Sequence, residues 1–149
     1  MRTAIAATLT FMLLVGTALA ADFTGTWKLN PAKSQLQHSD IVSETLAIEQ
    51  TGPQTYRSIV DIVTKSGQKR HLDTIRVYDG KEHQVQGVPG SARASEICDL
   101  TPPSTRKIIH KENGAIVLTI DSSVSADGKT MTNIRTDASG KDVLVFDRQ

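Results

Sequence analysis

The chain has 149 residues, among them seventeen basic and sixteen acidic side chains and one cysteine. This length suits a single domain with its own core, and the balanced charge gives no electrostatic reason to expect nucleic acid or an anionic membrane as a partner. The lone Cys98 excludes an internal disulfide, so stability must come from apolar burial and a well-paired sheet. Because Glu96 and Asp99 flank it, we expect a raised thiol pKa and a buried structural role rather than a nucleophile.

The N-terminal segment has the three parts of a secretory signal peptide. Arg2 supplies the positive charge, an uncharged and mostly apolar run covers 5–15, and Ala18 and Ala20 are the small residues that signal peptidase needs. The apolar run is shorter than the roughly 20 residues that a bilayer requires. We therefore predict a cleaved signal peptide at 1–20 and a mature domain at 21–149. That domain is expected in the periplasm or outside the cell, with no membrane attachment after cleavage.

Turn-forming pairs such as Asp79-Gly80 and Asn113-Gly114 recur along the mature chain, and they accept the positive φ angles that tight hairpins need. The segments between them are rich in β-branched residues or alternate between apolar and polar side chains. Only 31–37 permits a helix, and Pro31 after Asn30 predicts a single turn or a loop there. The predicted strands cover residues 25–30, 45–50, 55–63, 72–78, 82–88, 94–100, 105–111, 116–124, 131–136 and 143–146.

The spacing of these strands predicts the architecture. Short strands at steady intervals, with no helical pattern between them, are typical of an all-β meander and not of parallel βαβ units. Closing such a meander removes its exposed edges. We therefore predict an antiparallel up-and-down β-barrel of about eight to ten strands, with an open sandwich as the alternative.

Both ends of the mature chain carry a familiar pattern. Residues 23–30 (FTGTWKLN) open it, 143–149 close it, and Asp-Gly-Lys hairpins stand at 79–81 and 127–129. The pattern resembles small exported bacterial lipocalin-like proteins and, more distantly, the lipocalin and fatty-acid-binding-protein group of calycin-type barrels. This resemblance implies a barrel whose closed end is plugged by Trp27, but it implies little about mechanism.

Fatty-acid-binding proteins hold a ligand carboxylate with an Arg-x-Tyr pair on the last strand. Leu144 and Phe146 occupy those positions here, so that anchor is missing. The helical pair that caps those barrels also has no counterpart between the first two strands.

Another Arg-x-Tyr pair offers a candidate ligand site. Arg76 and Tyr78 share one face of a predicted strand, and inside the barrel they would clamp a carboxylate or phosphate. The opposite face carries apolar residues that compete for the interior, which favours an outward Arg76 with its charge in water. Tyr56 and Arg135 are further ligand-binding candidates whose direction strand parity does not settle.

The residues that could carry chemistry form no specific motif. His38, His71, His83 and His110 lack the spacing of a zinc site, and His110 stands among basic residues that indicate exposure. His71 and Asp73 would share a strand face, but no nucleophile accompanies them. We therefore assign no catalytic residue, no metal site and no cofactor.

Three functions remain open. The first is an exported barrel that binds a small, largely apolar ligand, provided that the interior is not filled. The second is an accessory or inhibitor module with an exposed apolar patch, to which Val42, Ile59 and Val88 would contribute. The third is an enzyme in which His71, Asp73 or His83 converge at the barrel mouth. The first is preferred, so the protein is not expected to be an enzyme.

Overall fold

The computed structural model describes residues 22–86, 92–101 and 104–149. The predicted signal peptide at 1–20 and the predicted turns at 89–90 and 102–103 lie outside these residues. Within the described ranges, no helix is long and apolar enough to cross a membrane.

The described residues form ten strands and one 3₁₀ turn. The turn, Pro31–Lys33, is the single turn that the sequence predicts, and the Asn30 side chain caps it by accepting a 3.2 Å hydrogen bond from the Lys33 amide. The strands are β1 Gly25–Leu29, β2 Ile41–Gln50, β3 Thr55–Thr64, β4 Lys69–Val77, β5 Glu82–Gln84, β6 Ala94–Thr101, β7 Thr105–Glu112, β8 Ala115–Val124, β9 Thr130–Asp137 and β10 Gly140–Arg148.

All ten strands belong to one antiparallel sheet in the order β4-β3-β2-β1-β10-β9-β8-β7-β6-β5. Strands that are consecutive in the chain are neighbours from β1 to β4 and from β5 to β10, and β1 also pairs with β10. Between the two edge strands, β4 and β5, the described residues contain only the isolated bridge from Ile75 to Gln86, which lies just beyond β5. The predicted up-and-down barrel is therefore confirmed, and it is nearly closed, with a seam between β4 and β5.

Three strands, β2, β4 and β10, begin three or more residues earlier than the sequence predicts. β2 starts at Ile41 and β10 at Gly140, because each contains a polar inward residue that breaks the apolar alternation. Glu44 is 1% exposed and Asp142 is 6% exposed. Asp142 accepts hydrogen bonds from the backbone amides of Gln37 and His38 in the segment before β2. Tertiary partners thus stabilise strand positions that hydrophobic patterning rejects.

One end of the barrel is filled by large apolar side chains. Trp27, Met131, Leu144 and Phe146 are each fully buried there, and the Trp27 indole N–H donates a 2.9 Å hydrogen bond to the Phe23 carbonyl. The structure thus places Trp27 in the apolar cluster that closes the barrel.

Arg148 packs on Trp27 at this closed end. The Arg148 guanidinium lies 4.1 Å from the centre of the Trp27 ring and donates hydrogen bonds to the carbonyls of Asp22, Thr24 and Gly128. The last strand is thereby connected to the residues before β1 and to the β8–β9 turn.

Replacing Arg148 with alanine should weaken the closed end. We expect Arg148→Ala to lower the free energy of unfolding by about 3 kcal/mol, because it removes several charge-assisted hydrogen bonds and the stacking on Trp27. Trp27 is the only tryptophan, so its fluorescence should shift to longer wavelength as water reaches the ring. Lys129→Ala removes an exposed charge at the same end and should leave both quantities unchanged. An Arg148→Ala protein with unchanged emission and stability would contradict this role.

Candidate functional site

The other end of the barrel opens into a cavity of about 910 Å³. This volume lies within the range of small-molecule sites, roughly 300 to 1,000 Å³. The sequence left open whether the interior is filled, and the cavity shows that it is not. Its apolar wall comes from several strands and includes Leu46, Val60, Ile62, Leu72, Ile108 and Ile120.

The interior is more polar than the sequence suggested. Six charged side chains line the cavity and are largely shielded from solvent: Arg76, Arg106, Arg135, Glu44, Glu96 and Asp142. A charge inside a protein is costly unless it meets an opposite charge and satisfies its hydrogen bonds. The partners of these groups therefore determine what the cavity can bind.

Arg76 and Glu96 form a bidentate ion pair across the seam. Arg76 Nε and Nη2 donate to the two carboxylate oxygens of Glu96 at 2.7 and 3.1 Å, and Arg76 Nη1 donates to the Thr74 hydroxyl at 2.8 Å. Arg76 is on edge strand β4 and Glu96 is on β6, next to the other edge. The ion pair thus links the two sides of the seam, where described backbone pairing is limited to one bridge.

His110 completes this group. Its Nδ1 lies 3.1 Å from Glu96 Oε1, and its side chain is 21% exposed. The expectation of an exposed His110 is therefore wrong, because the residue shares the inward face of β7 with Ile108. Burial alone would raise the pKa of Glu96, but the Arg76 charge and hydrogen bonds, followed by His110, hold that pKa below its usual value.

Glu44 and Arg135 form a second interior ion pair. Arg135 Nη2 donates to Glu44 Oε1 at 2.5 Å, between β9 and β2. Within the described residues, the other carboxylate oxygen of Glu44 and the Nε of Arg135 have no hydrogen-bond partner.

Arg106 is the third interior guanidinium, and it has no carboxylate partner among the described residues. It is 7% exposed, lies 4.5 Å from the centre of the Phe23 ring, and donates a 3.4 Å hydrogen bond to the Tyr78 hydroxyl. Its Nε has no partner in the same part of the chain. Burial lowers the pKa of Arg106, whereas Glu96 outweighs burial and raises the pKa of Arg76. The two buried arginines are therefore in opposite electrostatic environments.

A polar row extends from Arg106 across the inner wall. Arg106 on β7 is opposite Ser122 on β8, which is opposite Asn133 on β9. Ser122 and Asn133 are 4% and 2% exposed, and their Oγ and Oδ1 atoms are unpartnered among the described residues. The row therefore places two further buried polar side chains beside a cation that has no carboxylate partner in the described chain.

The four ligand-binding candidates from the sequence occupy different positions. Arg76 and Arg135 line the cavity, so the favoured outward orientation of Arg76 is wrong, because Glu96 neutralises its charge inside. Tyr78 is 4% exposed and contacts half-buried Tyr56 edge to face, with ring centres 5.3 Å apart. Arg106 is not among the candidates from the sequence, because an arginine in a weakly alternating strand is normally expected to be exposed.

The groups considered for an enzyme do not converge in the cavity. His71 is exposed and contacts Asp61 on the outer face, while Asp73 pairs with Arg57. His83 lies 2.9 Å from Asp79 near the seam. No group of three or more His, Cys, Asp or Glu side chains in the described ranges is arranged to hold a metal ion.

Of the residues considered for an apolar docking patch, Val42 is 43% exposed, Ile59 is half-buried, and Val88 lies outside the described residues. The other exposed large apolar residues are Ile75, Ile116 and Val117, on two other strands. Among the described residues, Val42 is therefore the one predicted contributor that is exposed.

The stability contribution of the seam ion pair can be measured with a double-mutant cycle. We expect Arg76→Met and Glu96→Leu each to lower the free energy of unfolding by about 3 kcal/mol, because each leaves one buried charge unpaired. The destabilisation of the double variant should be about 2 kcal/mol smaller than the sum of the destabilisations of the two single variants. The exposed Arg57–Asp73 pair, at 2.7 Å, is the matched control and should show a much smaller coupling. Additive effects at Arg76 and Glu96 would contradict the assignment.

The lowered pKa of Glu96 predicts a pH dependence. The folded protein binds this proton more weakly than the unfolded chain, so the contribution of Glu96 is fully present above the ordinary glutamate pKa of about 4.3. This contribution to stability is lost as the pH falls through the pKa of Glu96 in the folded protein. Urea denaturation across this range should show a steeper acid loss of stability for the wild type than for Glu96→Gln. The same pH dependence of stability in the wild type and in Glu96→Gln would contradict the lowered pKa of Glu96.

Comparison with known proteins shows the fold but no family. No model of a known protein family matches the chain, and no curated protein sequence matches it. The fatty acid binding protein of Schistosoma mansoni, solved in complex with arachidonic acid, is 14% identical with a TM-score of 0.63, over 89% of this chain and 98% of that one. The fluorescent protein UnaG is 15% identical with a TM-score of 0.61, over 85% and 97%. Human cRBP IV is 14% identical with a TM-score of 0.56, over 87% and 99%.

At such identities the likeness concerns the fold alone. The chain has a barrel fold like that of the fatty-acid-binding proteins, in agreement with the distant resemblance drawn from the sequence.

Proposed function

We propose that this protein is an exported binding protein for a small amphipathic molecule that carries an apolar tail and one anionic group. The observation that carries the proposal is the Arg106 guanidinium, which is buried at the cavity wall without a carboxylate partner in the described chain. A ligand carboxylate would supply the missing charge and accept hydrogen bonds from Arg106.

The shape of the cavity supports an apolar tail. Arg106 lies next to Phe23 and Met131 of the closed-end cluster, so an anionic group there would sit deep in the barrel. The apolar side chains of Val60, Ile62 and Leu72 stand on the wall between that depth and the mouth. A tail along them would bury apolar surface, at about 25 cal/mol per Å². The arachidonic acid complex of the Schistosoma mansoni protein is an example of such a ligand in this fold.

A binding role fits better than catalysis. Cys98 is 2% exposed, and burial followed by the charge of Glu96 raises its pKa to about 12, so it is not a nucleophile at neutral pH. His110 is engaged by Glu96, and the other two histidines considered for catalysis face away from the cavity or lie near the seam. Among the described residues, the interior therefore offers groups that could hold a ligand and none that is activated to attack it.

Export and a bacterial source belong to the same proposal. The segment at 1–20 has the composition of a signal peptide, and the mature domain needs no disulfide. N-terminal sequencing of the exported protein should find Ala21 as the first residue.

Substitution of Arg106 should separate binding from stability. We expect Arg106→Met to weaken dodecanoate binding by about 30- to 100-fold, since a charge-assisted interaction is lost, and to leave dodecanol binding unchanged. The same substitution should raise the free energy of unfolding of the empty protein by about 1 to 3 kcal/mol, because an unpaired buried charge is replaced by an apolar side chain.

Lys107→Met is the matched control, because it removes a positive charge from the outer face of the same strand. It should change neither dodecanoate binding nor its preference over dodecanol. Calorimetric titration that finds equal affinity for the acid and the alcohol in the wild type would refute the anionic group as the basis of recognition.

A further inference from the structure

The aliphatic side chains that line the cavity are concentrated on two pairs of neighbouring strands. One pair is β2 and β3, the other is β7 and β8, and the residues are Leu46, Val60, Ile62, Ile108, Leu118 and Ile120. Leu46 is directly opposite Val60 in the first ladder, and Ile108 is directly opposite Ile120 in the second. Each pair of strands therefore presents a continuous apolar wall to the cavity.

The strands between these two apolar walls present polar side chains. Within the described chain, β9 and β10 contribute only polar residues to the lining, and β4 contributes three polar residues and one leucine. They are Asn133, Arg135, Asp137 and Asp142 on β9 and β10, and Arg70, Leu72, Thr74 and Arg76 on β4. We call these two parts of the lining the polar walls.

The order of the strands places like walls opposite each other. The ten strands follow one another around a nearly closed barrel in the order β4-β3-β2-β1-β10-β9-β8-β7-β6-β5. A strand in such a ring faces the strand five places further round, because five strands make half of the circumference. Thus β2 faces β7, β3 faces β8, and β4 faces β9. The cavity has two apolar walls that face each other and two polar walls between them.

The charged residues on the strands of the apolar walls have partners on other sides of the cavity. Glu44 on β2 accepts a hydrogen bond from Arg135 on β9. His110 on β7 contacts Glu96 on β6, which itself binds Arg76 on β4. These contacts concentrate the charges on the two polar sides.

The other polar lining residues of these strands lie at the two ends of the cavity. Arg106 is at the closed end beside Phe23, and Ser58 is directly opposite Ile48 of the closed-end cluster. Glu112 is the last residue of β7 and is exposed. Between these two ends, the apolar walls are aliphatic.

This arrangement suits a ligand with two apolar faces and polar edges. An alkyl chain that fills the cavity brings hydrocarbon against the polar walls, where it displaces water without replacing the hydrogen bonds of that water. A flat ring system has apolar faces on two opposite sides, and oxygen atoms on its edges can meet polar walls directly or through bridging waters. A rigid ring system also loses less conformational freedom on binding than a chain does.

We propose that the apolar part of the ligand is a flat fused-ring system with oxygen atoms on its edges. The two ring faces pack on the apolar walls, the edges lie along the polar walls, and the anionic group lies at Arg106. This inference rests on the proposed function, because Arg106 anchors the acid.

The test compares four acids by calorimetric titration of the full mature protein. Dodecanoate is the flexible reference. Anthraquinone-2-carboxylate is flat with a carbonyl oxygen on each long edge, and anthracene-2-carboxylate has the same flat skeleton without these oxygens. Triptycene-2-carboxylate adds a further ring across that skeleton, which makes the molecule globular. We expect the anthraquinone acid to bind about tenfold tighter than each of the other three.

This order separates the proposal from simple apolar burial. The anthracene and triptycene acids are the more apolar ring compounds, so the hydrophobic effect alone predicts that they bind more tightly than the anthraquinone acid. The comparison uses the wild-type protein and requires no variant.

A double variant assigns the preference to the polar wall at β9. Glu44→Leu with Arg135→Met removes both members of an ion pair, so it leaves neither of these charges unpaired and makes this side of the cavity apolar. The advantage of the anthraquinone acid over the anthracene acid should fall to about twofold or less. Arg57→Met with Asp73→Leu is the matched control, because it removes an ion pair from the outer face, and it should retain the advantage.

The outcomes distinguish the two proposals. If dodecanoate binds at least as tightly as the anthraquinone acid, the fused-ring ligand is refuted and the amphipathic binding function stands. Equal or tighter binding of the anthracene acid would refute the polar edges, and that of the triptycene acid would refute the flat shape. If no acid binds, both proposals are refuted. An advantage that persists in the Glu44→Leu/Arg135→Met protein would overturn the role of the polar wall.

Discussion

A charge inside a protein must find a counter-charge, and this constraint governs the interior of the barrel. Among the arginines shielded on the cavity wall, Arg76 is neutralised by Glu96 and Arg135 by Glu44, whereas Arg106 meets a tyrosine hydroxyl, a sulfur atom and an aromatic ring. The two ion pairs neutralise four of the six charges on the wall, and the Asp142 carboxylate accepts two backbone N–H groups. The remaining guanidinium then stands out as the group that an anionic ligand would complete.

The Arg76–Glu96 ion pair also connects two edge regions of the sheet that backbone hydrogen bonds connect elsewhere in the barrel. The ladder from β4 around to β5 is continuous, but between these edges the described residues contain a single backbone bridge. The Arg76–Glu96 ion pair spans this break from the inside. At the closed end Arg148 has a comparable role, since it connects both termini of the described chain to a turn through three carbonyls. Regions with few backbone hydrogen bonds open most easily, so the seam is where the barrel depends most on its side chains.

Under the proposed function, Arg106 favours ligand binding at the expense of the stability of the empty barrel. An apolar residue at this position would pack better against Phe23 and Met131, and the empty barrel would be more stable. Ser122, Asn133 and Glu44 likewise bury polar atoms that have no hydrogen-bond partner in the described chain, which adds to the free-energy cost of this interior. The cavity wall therefore combines buried polar groups with apolar side chains.

The sequence alone determined the architecture, because strand periodicity and turn chemistry are local properties. Turn pairs at Asp79-Gly80 and Asn113-Gly114, together with alternation in β8, were enough to predict an antiparallel barrel and its strands to within a few residues. The segment at 82–88 was predicted as a longer strand than the described Glu82–Gln84, since short edge strands carry little pattern.

Only the tertiary structure decided which way the charged residues point. Around Arg76 and Arg135 both faces of the strand carry apolar side chains, so parity does not separate inside from outside. The carboxylates that neutralise these inward arginines are remote in the chain. Glu96 is 20 residues from Arg76, and Glu44 is 91 residues from Arg135. Closure of the barrel is what brings them together, and it also leaves Arg106 without a carboxylate. The local sequence therefore determines where the strands of the barrel lie. Ion pairs between residues that are remote in the chain determine which charged side chains point into the cavity.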